Sequence, residues 1–114
     1  MKFNRKVKSL MQKKARPLDV KVEIVNKTHW KRTDNLEIKV SGLFRNSGWE
    51  IKSHSCRVVG DLIRVEINTR HHGGISLMVL TPFEVIEKIQ IPFLKDNYKI
   101  QVIVDEDELI TQSV

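Results

Sequence analysis

Val58-Val59-Gly60-Asp61-Leu62-Ile63-Arg64-Val65-Glu66-Ile67 is the stretch on which the fold turns. Ile63, Val65 and Ile67 alternate with Arg64 and Glu66, so one face is apolar and the other charged, the period of a half-buried strand. Val58-Val59 lies on the other side of a glycine–aspartate pair. Glycine at the first turn position supplies the positive φ that a two-residue I′ or II′ hairpin needs. The segment reads as strand, tight turn, strand.

The same period recurs on both sides. Val20, Val22 and Ile24 alternate with Lys21 and Glu23; Leu36, Ile38 and Val40 with Glu37, Lys39 and Ser41; Tyr98, Ile100, Val102 and Val104 with Lys99 and Gln101. Turn residues punctuate these runs: Asn46-Ser47-Gly48 before Trp49, His71-His72-Gly73-Gly74 before Ile75, and Asp96-Asn97 before Tyr98, with Asn97 as the left-handed residue. Strands are expected at 19–25, 36–43, 49–59, 62–68, 75–80, 84–91, 97–104 and 109–113, eight in all. Short strands at this spacing, with no helical run between them, predict an all-β protein, an antiparallel sandwich or barrel.

Three quoted segments resemble a known group. VVGDLIRVEI (58–67), LTPFE (80–84) and IPFLKDNYKIQVIV (91–104), with SGLFRNSGWEI (41–51) before them, are similar to uncharacterised prokaryotic Ig-like β-sandwich domains. Those domains read V-x-G-D/N-x-I-x-V, then P-F-E, then L-x-x-G-x-Y-x-V-x-V. Asn97 stands at or beside the usual glycine, a substitution the left-handed conformation tolerates. The resemblance covers residues 36–104. It implies an Ig-like antiparallel sandwich of seven to eight strands and a module built for contact rather than catalysis, and it brings no activity with it. It also implies that Leu94 and Tyr98 form a tyrosine corner, with the phenol tied to upstream backbone.

Charge divides the chain in two. Residues 1–17 carry Lys2, Arg5, Lys6, Lys8, Lys13, Lys14 and Arg16 and no acid, leaving 13 bases against all 14 acids in residues 18–114. The formal net charge of +6 therefore belongs to a basic N-terminal arm, and the body carries −1. Within the arm, Phe3, Val7, Leu10 and Met11 fall at helical spacing, and Pro17 ends the pattern. A helix of ~16 residues needs a partner to be stable, and the alternative is a frayed, solvated tail. The seven bases are the expected anion contacts, able to neutralise about seven phosphates, which for duplex DNA gives a log K against log salt slope of about −6.

Enzymatic signatures are absent from the sequence: no phosphate loop follows Gly73-Gly74, and there is no G-x-S-x-G, H-E-x-x-H or Cys-x-x-Cys. Cys56 is alone, which points to a reducing compartment, and no hydrophobic run resembles a secretory signal, so the expected location is cytoplasmic. His54 and Cys56 share a strand face, and His71 and His72 occupy a turn, but paired ligands at structural-zinc spacing are missing. No metal and no cofactor are expected. Trp49, Phe44, Phe83 and Phe93 are expected as core or rim packing, and Trp30 as a loop residue folded over the sandwich. Asp105-Glu106-Asp107-Glu108 lacks calcium-loop spacing and is expected to be a solvated hairpin tip.

These observations predict a non-catalytic interaction module that binds another protein. The alternative is a tether to nucleic acid or an anionic membrane surface, acting through the arm.

Overall fold

Strands at the expected places assemble into two packed sheets. The structure, a computed structural model, describes residues 14–25, 35–91 and 98–113. Their strands are β1 (Leu18–Ile24), β2 (Asn35–Phe44), β3 (Trp49–Val59), β4 (Leu62–His71), β5 (Thr81–Gln90), β6 (Lys99–Val104) and β7 (Asp107–Ser113). One sheet has the order β1-β2-β5 and the other β3-β4-β6-β7. The result is an all-β sandwich.

Val59 pairs with Leu62 across Gly60-Asp61, and Gly60 has a φ of 64°, so the two-residue hairpin forms as the sequence requires. Alternation then decides the packing. Leu36, Ile38, Val40 and Phe44 of β2 face Ile63, Val65 and Ile67 of β4 and Ile100, Val102 and Val104 of β6, all at most 2 % exposed. Truncating any one of these large side chains to alanine removes roughly 2–5 kcal/mol through the cavity it leaves. Outward-facing partners are polar: Lys39 on the central strand lies 3.4 Å from Glu23 and 3.8 Å from Glu84 on the flanking strands.

One pairing is not antiparallel. β4 and β6 run parallel, matching Ile63 with Ile100, Val65 with Val102 and Ile67 with Val104. A parallel pair requires a long crossover, and β5 supplies it through the opposite sheet. The neighbour of β6 is thus the fourth strand, where immunoglobulin sandwiches bring the third. The two-sheet architecture is as expected; the strand order inside the second sheet is its own.

The eighth expected strand does not form. Residues 75–80 are a loop whose Leu77 backbone bonds Ser47 rather than a strand, and β5 begins only at Thr81. Tyr98 is buried at the entry to β6. Leu94, Asp96, Asn97, Phe93 and Trp30, and the helix expected for the arm with Phe3, Val7, Leu10 and Met11, fall outside the described residues. Among the described residues, no helix is long and apolar enough to cross a membrane.

Candidate functional site: a cationic cleft beside an apolar loop

The chain crosses from one sheet to the other through Arg45-Asn46-Ser47-Gly48, and this turn organises one end of the sandwich. The Gly48 N–H donates to Asn46 Oδ1 at 2.9 Å. Trp49, the first residue of β3, stands opposite His71, the last of β4, with the two rings edge to face at 5.0 Å. Gly48 permits that approach: a Cβ there would lie 2.3 Å from His71 Nε2. His71 Nδ1 accepts the Gly73 N–H at 3.1 Å and His72 Nδ1 accepts the Gly74 N–H at 3.2 Å. In each neutral ring the proton therefore sits on Nε2.

Beside this pair opens a cleft of about 820 Å³, lined by Lys14, Arg16, Arg45, Trp49, Arg70 and His71 among others. Two of its cations are committed. Arg70 donates from Nε at 2.8 Å and Nη2 at 2.6 Å to Glu50 Oε1, and Lys14 Nζ lies 3.0 Å from Asp107 Oδ1. Arg45 donates from Nε to the Arg16 carbonyl oxygen at 2.9 Å, which orients the guanidinium, and its terminal nitrogens have no hydrogen-bond partner among the described residues. Among the described residues, neither Arg16 nor Arg45 has a carboxylate within ion-pair distance.

The cleft wall is held by Asp105, and here the expectation of a solvated acidic tip needs correcting. Its carboxylate accepts the Thr69 N–H at 2.8 Å, the Thr69 hydroxyl at 2.5 Å and the Ala15 N–H at 2.9 Å. The Asp105 N–H donates to the Ile67 carbonyl at 2.9 Å. Glu106 completes a two-residue turn with φ 72° after φ 51° at Asp105, the left-handed pair of a type I′ hairpin. Ala15 and Pro17 are buried, so the last residues of the arm region pack as part of the body.

On the other side of the turn lies the loop from His72 to Leu80. Ser47 fixes its middle: the Ser47 N–H donates to the Leu77 carbonyl at 3.0 Å, and the Leu77 N–H donates to Ser47 Oγ at 2.8 Å. Ile75 is 98 % exposed, Met78 87 %, Leu77 68 %, and Val79 and Leu80 about half. Five apolar side chains thus project from a backbone braced by the same turn that carries Arg45.

Of the expected anion contacts, Lys14 and Arg16 line the cleft; Lys2, Arg5, Lys6, Lys8 and Lys13 lie outside the described residues. Arg45, Arg70, Trp49 and His71 join them, and sequence reading singled out neither arginine. Register explains part of this. Counting outward from Gly60-Asp61 places Trp49 opposite His72, but a bulge between Ile51 and Ser53 shifts the pairing to His71.

His54 and Cys56 sit elsewhere, on the flank where β3 approaches β5. His54 Nδ1 bonds Glu87 Oε2. The Cys56 thiol is pushed up to about 12, first by burial and then by the Glu87 carboxylate, which makes it a poor thiolate donor. His71 lies at the far end of the hairpin, opposite Trp49, so the four residues do not converge. Among the described residues no group of three His, Cys, Asp or Glu side chains is placed to hold a metal ion.

The chemistry offered at the cleft is anion binding beside an apolar contact. No family model matches the chain, and comparisons with curated proteins and with solved structures find no significant match.

Proposed function

We propose that the protein is a non-catalytic docking module that seats this end of the sandwich on an anionic phospholipid surface. The observation that carries the reading is the loop 75–80, five aliphatic or thioether side chains half to fully exposed on a backbone braced by Ser47. Burying Ile75 and Met78 in the headgroup–acyl boundary contributes roughly 1.5–3 kcal/mol each. Each nearby Lys or Arg adds about 1 kcal/mol at an anionic leaflet. Neither contribution anchors a protein alone, and the two together do. Five more bases, Lys2, Arg5, Lys6, Lys8 and Lys13, precede Lys14 in the sequence.

A protein partner, the first expectation from sequence, fits this surface less well. Binding hot spots favour Trp, Tyr and Arg, with Leu and Val under-represented, and the loop offers only Ile, Leu, Met and Val with one serine. Anionic lipids populate cytoplasmic leaflets, which agrees with the cytoplasmic location expected from the lone Cys56.

Co-sedimentation of the full chain with vesicles tests the reading. Binding is expected to phosphatidylcholine vesicles containing phosphatidylserine and not to phosphatidylcholine alone, and it should weaken as salt rises. Ile75→Asp with Met78→Asp should abolish it. Equal affinity for neutral vesicles, or none for either, overturns the reading. Binding to duplex DNA that survives the loop substitutions would transfer the function to the arm.

A further inference from the structure

Resting on that docking reading, we propose that the cleft lined by Arg16, Arg45, Arg70 and Trp49 is a binding site for a phosphate monoester, the headgroup of the lipid on which the loop lands. At about 820 Å³ the cleft is too roomy for a bare ion and falls within the range of small-ligand sites. Its cations are not equivalent. Arg70 is clamped by both Nε and Nη2 to Glu50, and Lys14 is neutralised by Asp107. Arg16 and Arg45 face no carboxylate among the described residues, so their charge is open to a ligand.

The bond from Arg45 Nε to the Arg16 carbonyl fixes the plane of the Arg45 guanidinium, and no described residue takes its terminal nitrogens. Those nitrogens form a fork that matches two oxygens of a tetrahedral phosphate, a geometry an ammonium cannot copy. Trp49 and the edge-on His71 ring provide an apolar wall for the carbon skeleton carrying the phosphate. Asp105 supports the site from behind. By accepting the Ala15 N–H it holds the chain that carries Arg16, and its carboxylate is spent on Ala15 and Thr69.

Loop and cleft share one hinge of structure. Arg45 lines the cleft, and Ser47, two residues on, grips Leu77. An inserted loop therefore brings the cleft to headgroup depth.

The test uses the full chain and three probes: soluble glycerol phosphate, phosphatidic acid vesicles and phosphatidylserine vesicles. Glycerol phosphate is expected to shift the NMR resonances of Trp49, His71 and Arg45, and phosphatidic acid vesicles to bind more tightly than phosphatidylserine vesicles of equal charge. Arg45→Gln should weaken glycerol phosphate about tenfold, and Arg45→Lys should recover only part, because charge returns without the fork. The melting temperature of each variant reports whether the fold survives. Arg16→Gln is the second variant, should Arg45 prove structural. Ile75→Asp with Met78→Asp should lose vesicles and keep glycerol phosphate. If vesicles bind while glycerol phosphate shifts nothing at low salt, the cleft proposal is overturned and docking stands. Shifts that Arg45→Gln and Arg16→Gln leave unchanged overturn it as well. Soluble binding without vesicle binding overturns docking and leaves the cleft as a site for a free phosphate ester.

Discussion

Two connections in this sandwich invert the usual relation between polarity and exposure. The β6–β7 turn begins an acidic run, yet Asp105 is half-buried and its carboxylate accepts three hydrogen bonds from Ala15 and Thr69. The loop at 75–80 is I-S-L-M-V-L, yet Ile75 and Met78 are 98 % and 87 % exposed. In the first, polar atoms replace water with backbone donors and so tie three segments together. In the second, apolar atoms stay in water because the backbone is tied to Ser47 of the sheet-crossing turn rather than to a strand. The polar turn is where the fold spends its stability; the apolar loop is where it keeps contact surface in reserve.

The contrast predicts stability effects of very different size. Asp105→Ala leaves the Thr69 and Ala15 N–H groups without acceptors, each worth about 1–3 kcal/mol, so a loss of roughly 3–5 kcal/mol is expected in thermal or urea unfolding. The double loop substitution, Ile75→Asp with Met78→Asp, should move stability by no more than about 0.5 kcal/mol. Equal losses at the two places would break the comparison. Truncation extends it: removing residues 1–13 should leave the cooperative transition in place, whereas removing 1–17 deletes buried Ala15 and Pro17 and should lower the melting temperature.

A labelling experiment sharpens it further. Raised from 9.0 to about 12, the Cys56 thiol holds on the order of a thousandfold less thiolate near neutral pH. In Met78→Cys the loop thiol should alkylate at the rate of an exposed cysteine, with Cys56 essentially silent in the same molecule. The sign for stability follows. A thiol with a raised folded pKa supports the fold below pH 9.0, and that support is lost as pH climbs toward 12. Cys56→Ala should remove this part of the alkaline sensitivity.

The smallest effect is a gain. Glu106 holds a φ of 72° without being glycine. Glu106→Gly relieves that strain and should stabilise the hairpin by about 0.5–1 kcal/mol, read as a rise in melting temperature. A loss would mean that the Glu106 side chain contributes more than its backbone costs.

Most of the sheet structure was legible from alternation, because a strand buried on one side must repeat every two residues. Seven of the eight expected strands exist, and the Gly60-Asp61 hairpin sits where its glycine demanded. The failure at 75–80 has a physical cause: an apolar run does not say what its backbone will bond, and here Leu77 bonds Ser47 of the sheet-crossing turn instead of a neighbouring strand. The turn at Asp105-Glu106 was recognised as a turn but its burial was not. Its partners, Thr69 and Ala15, are 36 and 90 residues away in sequence. The cleft was half legible. Lys14 and Arg16 stood out by charge density, but Arg45 and Arg70 are single bases in a turn and on a strand, and only the crossing of the sheets brings them beside Trp49.

The central claim is that the loop, and not the acidic turn, meets the bilayer. It is tested most directly by attaching an environment-sensitive fluorophore in turn to Met78→Cys and to Glu106→Cys, then adding vesicles. The account predicts a blue shift and intensity gain at position 78 with phosphatidylserine-containing vesicles, none there with phosphatidylcholine alone, and none at position 106 with either. No change at position 78, or the same change at both positions, would contradict it.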